Sequence, residues 1–170
     1  CLQVLRKHIG HLGYRKNFSI AGDSDSRTLL RRAVEDLGST ENFDMGTFQS
    51  QISLLKNSNE APDPDRPPPV ENENQEKYSE NLAEVYEAYQ SALRAANSVD
   101  FDDLMLLTLR LWNEHPAMHA HCRDTFKYVM VDEYQDTNKV QYELIRKLVL
   151  EHRNLCVVGD DDQSIYGWRG

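Results

Sequence analysis

Apolar positions recur at helical spacing through most of the chain and then give way to two short apolar runs. Leu2, Leu5 and Ile9 predict a first helix, which Gly10 and Gly13 break. Phe18-Ser19-Ile20 reads as a short extended piece. Asp23 or Ser24 is placed to cap a helix whose apolar face is Leu29, Leu30, Ala33, Val34 and Leu37, with Gly38 ending it. Phe48, Ile52 and Leu55 predict another helix. Residues 57–75 hold Pro62, Pro64 and the triplet Pro67-Pro68-Pro69, and they predict an exposed loop, because proline removes the amide donor and fixes φ. The strongest pattern comes next: Tyr78, Leu82, Val85, Tyr86, Tyr89, Leu93 and Ala96 share one stripe, with Glu80, Glu84 and Glu87 off it. A tyrosine stripe could stack on bases, but at this spacing it reads as core. Asp100 caps a helix bearing Leu104, Leu107 and Leu111 that stops at His115-Pro116. Two apolar runs, Tyr128–Val131 and Leu155–Val158, flank a helix carrying Leu144, Ile145, Leu148 and Val149. Strand, helix and strand, apolar throughout, predict a βαβ unit in a buried parallel sheet. The expected fold class is α/β, with about 125 mainly helical residues before it.

Composition narrows the class. The chain has 170 residues, 39% apolar and 28% charged, which suits a globular protein and is too apolar for a disordered one. No apolar run approaches the ~20 residues of a membrane-spanning helix. Three cysteines, an odd number with no close pair, argue against a disulfide framework and for a reducing, cytoplasmic setting. The chain starts at Cys1 and stops at Gly170 inside what reads as a functional loop, so it reads as an internal piece of a longer protein. The net charge of -9 disfavours nucleic acid at face value. Segment by segment the balance is +3 over 1–37, -10 over 38–103 and -2 over 104–170, so the acid sits mostly in the middle. It reads as a solvated helix face and a polar loop, leaving a local DNA contact open.

Both apolar runs end in acids: Asp132-Glu133 after the first, Asp160-Asp161-Asp162 after the second. Ligands of open parallel sheets bind beyond the carboxyl ends of the strands. An apolar strand ending in an acidic pair has the form of a Walker B element. Its first carboxylate, Asp132, suits Mg²⁺, and its second, Glu133, suits the water that attacks a γ-phosphate.

The words around these acids are more specific. Val131-Asp132-Glu133-Tyr134-Gln135-Asp136-Thr137, and then Val158 through Gly170 with Gln163-Ser164-Ile165-Tyr166-Gly167-Trp168-Arg169, closely resemble motifs II and III of superfamily 1 DNA helicases of the Rep, PcrA and UvrD group. Val99-Asp100-Phe101-Asp102-Asp103-Leu104 also resembles a segment of that group. The resemblance is specific over 128–170 and loose over 1–98. It implies two RecA-like P-loop NTPase domains, each with an inserted subdomain. Residues 1–16 would be a helix of the first RecA-like domain or its junction, 17–125 its inserted helical subdomain, and 126–170 the core segment with Walker B and motif III. It implies ATP and Mg²⁺ as cofactors, with Asp132 on the metal, Glu133 as catalytic base and Gln163 sensing the γ-phosphate. Tyr166, Trp168 and Arg169 would face single-stranded DNA. An uncharged amide can contact phosphate without leaving a charge behind, and an exposed indole stacks on any base for ~1–3 kcal/mol. An arginine meets phosphate as a bidentate fork.

The implied activity is ATP-driven three-prime to five-prime movement on single-stranded DNA and duplex unwinding in repair or replication. Expected partners are single strands, single-strand/duplex junctions and repair or replication proteins, with no membrane, for a monomer or weak dimer. No glycine here is followed by lysine, so the chain lacks a Walker A loop and is expected to be inactive alone. Two other readings stand beside this one: an ATPase-inactive scaffold that docks DNA or protein, and a subunit of a helicase–nuclease. His115, His119, His121 and Cys122 cluster within eight residues, but Pro116 interrupts the turn, and they read as a polar helix surface rather than a zinc site.

Overall fold

The computed structural model describes residues 1–38, 43–62 and 73–163. Its elements in chain order are α1 (Leu2–His8), β1 (Ser19–Ile20), α2 (Asp23–Asp36), α3 (Met45–Asn57), α4 (Glu73–Ala95), β2 (Ser98–Val99), α5 (Phe101–Glu114), α6 (Pro116–Thr125), β3 (Val129–Val131), α7 (Lys139–Val149) and β4 (Leu155–Val157). A 3-10 turn over Ile9–Leu12 extends α1. Most of the chain is helical, and two small parallel pairs, β1 with β2 and β3 with β4, complete an α/β fold.

The helix ends obey local chemistry. The Asp44 carboxylate accepts from the Gly46 and Thr47 amides and starts α3. Those bonds favour the charged form and hold Asp44 below the usual carboxylate range. At the other end Asn59 sits at φ 53, so that the Asn59 amide reaches Lys56 O and the Glu60 amide reaches Leu55 O. That is a Schellman ending with asparagine in the left-handed position. Asp100 caps α5, as expected, and does so in a reciprocal capping box with Asp103. Gly38, at φ 74, ends α2 as expected.

Three expectations are corrected. Gly22, not Asp23 or Ser24, occupies the N-cap of α2, and both polar residues lie inside the first turn. The proline-rich loop is shorter than 57–75, since α3 holds Asn57 and α4 begins at Glu73; residues 63–72 of it lie outside the described residues. Helix α5 does end before His115-Pro116, as expected, and Pro116 then starts α6, because a first-turn position needs no amide donor. The predicted buried sheet is exposed: Tyr128 is 81% and Met130 79% accessible, with Leu155, Val157 and Val158 also open. Only two strands pair here among the described residues, and α7 packs against β3. β2 went unpredicted because Ser98-Val99 is too short to show a period. It forms by pairing Ser19 with Ser98 and Ile20 with Val99.

Among the described residues, apolar side chains gather in three clusters. The first joins α2, α3 and α4 through Leu30, Val34, Phe48, Ile52, Leu82, Val85, Tyr89 and Leu93. The tyrosine stripe of α4 is therefore core, with Tyr78 edge-on to Phe43 and Phe48. The second joins α1 and the first strand pair to α5 through Leu5, Ile9, Phe18, Val99, Leu107 and Leu111. The third, around Leu109, Trp112, Cys122, Val140 and Leu144, packs α5, α6 and α7. Helix α5 thus takes part in the second and third.

A buried polar seam joins α3 to α4 and α5. Lys56, 1% accessible, donates to Asp100 at 2.6 Å and Asp103 at 2.8 Å. Tyr89 Oη donates to Asp100, and Gln90 Nε2 to Asp103. Burial by itself would lower the Lys56 ammonium, but the Asp103 and Asp100 carboxylates outweigh it and hold the group above the ordinary lysine value. Burial pushes Asp103 up, and the Asp100 charge adds to it against the pull of Lys56.

Candidate active site

The parallel register of β3 and β4, Val129 with Leu155 and Val131 with Val157, brings their carboxyl ends to one edge. Val158 N donates to Val131 O, and Tyr134 N donates back to Val158 O. The segment Asp132–Thr137 is thus sewn to the segment leaving β4. Asp132 and Glu133 both emerge exposed at this edge. Glu133 takes left-handed backbone angles, φ 52 and ψ 43, which turn the chain sharply into a 3-10 turn over Tyr134–Asp136. A non-glycine residue in that region carries strain of order 1–3 kcal/mol, and such strain concentrates at functional positions. The Glu133 amide donates to Asp132 Oδ1 at 3.0 Å, which orients the first carboxylate.

The two acidic segments are linked through one side chain. Gln135 Nε2 donates to Glu133 Oε2 at 2.7 Å, and Gln135 Oε1 accepts from the Asp160 amide at 3.0 Å. Asp160 in turn accepts from the Asp162 amide through Oδ1 and from Gln163 Nε2 through Oδ2, the latter at 2.8 Å. A continuous path of hydrogen bonds therefore runs from Glu133 through Gln135 and Asp160 to Gln163. Gly159 makes this possible: a Cβ there would lie 2.7 Å from Gln135 Oε1, inside any real contact.

So Asp132, Glu133 and Gln163 come together at one edge, while Tyr166, Trp168 and Arg169 lie outside the described residues. Sequence reasoning gave Gln135 and Gly159 no role. The available signals were the spacing of Gln135, two residues past Glu133 in a tight turn, and a lone glycine directly after an apolar strand. The donor set suits Mg²⁺, which takes one or two carboxylates and completes its shell with water and substrate phosphate oxygens. Among the described residues no group of three or more His, Cys, Asp or Glu side chains is placed to hold a metal by itself. In the histidine cluster, His119 Nε2 donates to Lys147 O at 2.8 Å and the His115 ring stands 4.8 Å from that of His11. Cys122 is core rather than surface, which corrects the expectation of a polar face there.

No helix among the described residues is long and apolar enough to cross a membrane. The chain is 43% identical over 170 residues to the ATP-dependent DNA helicase PcrA of Leuconostoc citreum, covering 99% of this chain and 22% of that protein. It is 37% identical over 170 residues to the ATP-dependent DNA helicase PcrA of Staphylococcus aureus strain Mu50, covering 100% of this chain and 23% of that one. The PcrA helicase of Staphylococcus epidermidis strain RP62A matches at 37% with the same coverage. The chain thus spans less than a quarter of the length of these curated relatives. The family model described as UvrD/REP helicase N-terminal domain matches residues 1–170. With an acidic strand-end pair tied to a second strand end, and that match running through every residue, the chain belongs to the UvrD/REP helicase N-terminal domain family.

Proposed function

We propose that this chain is an internal part of an ATP-dependent DNA helicase, carrying half of its ATP site. The observation that carries the reading is the shared edge at which Asp132 and Glu133 meet Asp160 and Gln163 through Gln135. In this reading residues 126–170 belong to a RecA-like core and 17–125 to an inserted helical subdomain, with 1–16 at the junction. The Walker A loop comes from a part of the longer protein outside this chain. The open, apolar faces of β3 and β4 suit cover by further strands and helices from the same source.

Asp132 would hold Mg²⁺, which when bound neutralises charge on the phosphate oxygens. Glu133 orients the attacking water and takes its proton, with Gln135 holding its carboxylate in place. Gln163 reads the γ-phosphate, and Asp160 fixes its amide before substrate arrives. Five residues beyond Gln163 in the chain, Trp168 would stack on a base, with Tyr166 and Arg169 also assigned to the single strand, the arginine to its phosphodiester. One short segment then touches nucleotide at one end and DNA at the other, which is what coupling hydrolysis to grip requires. The proposed output is three-prime to five-prime translocation on single-stranded DNA, with unwinding at single-strand/duplex junctions, in repair or replication in the cytoplasm.

The test is DNA-stimulated ATP hydrolysis by the full-length protein and by this chain alone. Turnover in the first, lost in Glu133→Gln with nucleotide binding kept, and none in the second, is the expected result. Full-length protein that binds DNA but neither binds nor hydrolyses ATP would overturn the reading in favour of a scaffold.

A further inference from the structure

We propose that Asn57 is a positioning residue through which the helical layer sets the segment bearing Asp132 and Glu133. The inference rests on the helicase reading, in that it assigns the reaction to that segment.

Asn57 is the last residue of α3, next to Lys56, whose ammonium is locked to α5 by Asp100 and Asp103. Asn57 makes its own set of bonds. Asn57 Nδ2 donates to Asp102 Oδ1 at 3.0 Å and to Ser53 O at 2.8 Å, with Ser53 Oγ also in reach. Its Oδ1 accepts from Asn138 Nδ2 at 2.6 Å. These bonds saturate the two amide hydrogens and fix which way the amide faces: only an oxygen can accept from Asn138, and only an NH₂ can donate to Asp102.

Asn138 is the partner that matters. It is buried, and its Oδ1 accepts from the Gln141 amide in a capping box that starts α7. It also ends the stretch that begins at Asp132. Its first anchor is β3, bonded to β4, and its second is Asn138 at the far end; between them the Tyr134 amide and the Gln135 side chain also tie it to the segment leaving β4. Only about two turns' worth of chain separates Asp132 from Asn138, so moving the second anchor moves the Glu133 turn. A second link crosses the same seam, Lys139 to Glu60 at 3.3 Å, where Glu60 is placed by the Schellman ending of α3. The seam borders a groove of about 780 Å³ lined by α2, α3, α5, Tyr89 and the start of α7, so the Asn57–Asn138 bond lies along the groove wall and not in an apolar cluster. The amide pair, with a surface ion pair beside it, is thus the polar link between α3 and the start of α7, next to the apolar packing of Val140 and Leu144 on α5 and α6.

The experiment compares full-length wild type with Asn57→Ala, Asn57→Asp and the pair Asn57→Asp/Asp102→Asn. Asn57→Asp keeps the acceptor for Asn138 but sets a second carboxylate against Asp102. The pair restores a donor and an acceptor with their direction swapped. Two readouts are taken: DNA-stimulated ATP turnover, and hydrogen exchange at the Tyr134, Asp136 and Thr137 amides, all bonded in the wild type. Expected are a fall of about fivefold or more in kcat for both single variants with KM for ATP within about twofold, and exchange at those amides faster by about five- to tenfold, the size of one lost hydrogen bond. The paired variant recovers most of both. Wild-type kcat and exchange in Asn57→Ala overturn the proposal. So does a loss that spreads equally to amides of α2 and α4 and is not recovered by the pair, which marks a purely structural residue. Should wild type itself turn over no ATP, the functional reading fails, and the exchange data still decide whether Asn57 sets the segment.

Discussion

Lys56 offers the sharpest quantitative test of the buried seam. Substituting methionine keeps most of the side-chain volume and removes the ammonium, leaving Asp100 and Asp103 facing each other beneath α3. Removing one partner of a buried ion pair costs about 3–5 kcal/mol, because the remaining charge is desolvated and uncompensated. Against a total of about 5–15 kcal/mol that is a large fraction of the stability. With a urea slope of about 2 kcal/mol/M, the midpoint should fall by about 1.5–2.5 M at pH 7, read by far-ultraviolet circular dichroism. The loss should depend on pH in a defined direction. Without Lys56 one carboxylate holds a proton in the folded state that the unfolded chain, at an ordinary aspartate value, releases. A raised folded-state value means stability present at low pH and lost as pH rises, so the deficit shrinks toward about pH 5 and grows toward about pH 8. Adding Asp103→Asn should recover much of it. In the wild type the sign is the same at the alkaline end: Lys56, held above its ordinary 10.5, stabilises the fold below that pH and loses its contribution above it. Tyr14, Tyr86 and Tyr89 are also raised by burial and leave a residual alkaline slope in the variant. A midpoint shift below about 0.5 M, or one identical at the two ends of that pH range, would refute the reasoning and reduce Lys56 to a packing residue.

Three further outcomes concern the acidic edge and the segment beyond it. Glu133→Gln in the full-length protein should cut ATP turnover by about 10²-fold or more while nucleotide binding stays within a few-fold, checked by steady-state kinetics and equilibrium titration. Gly159→Ala should change stability by less than about 1 kcal/mol, since the nearest atom to the new Cβ is the movable end of Gln135, yet lower turnover by displacing that amide from Glu133 and Asp160; unchanged kinetics would remove Gln135 from the site. Trp168→Ala should weaken single-stranded oligonucleotide binding by about 1–3 kcal/mol at fixed salt, measured by fluorescence anisotropy.

Much of the local structure was legible because local chemistry suffices for it. The Asp100 cap, the Gly38 ending and the 3.6-residue stripe of α4 each depend on residues within a turn or two of one another. Pro116 marks the stop of α5 in the sequence, whereas its place in the first turn of α6 depends on the helix-forming residues Ala117 to Thr125. The strand pair β1–β2 could not be read, since two residues from each strand meet only when α4 returns the chain beside Ser19. Lys56 and Asn57 illustrate the same limit more strongly. In sequence Lys56 is a polar residue at the end of an ordinary amphipathic helix and Asn57 the first residue of a proline-rich loop; the carboxylates that make them informative lie more than forty positions away, and Asn138 lies eighty-one from Asn57.

At the acidic edge, the chain's own order placed Asp132-Glu133 and Asp160 directly after apolar runs, and a parallel pair necessarily carries such ends to one side. That much was determined by the sequence, because strand direction and residue order are local facts. Which side chain joins the two ends, Gln135, and which residue must lack a side chain for it to do so, Gly159, were decided only by the tertiary register. The same holds for the burial of Lys56 and the exposure of Met130: solvation is a property of the neighbours a residue acquires, and those neighbours come from distant parts of the chain.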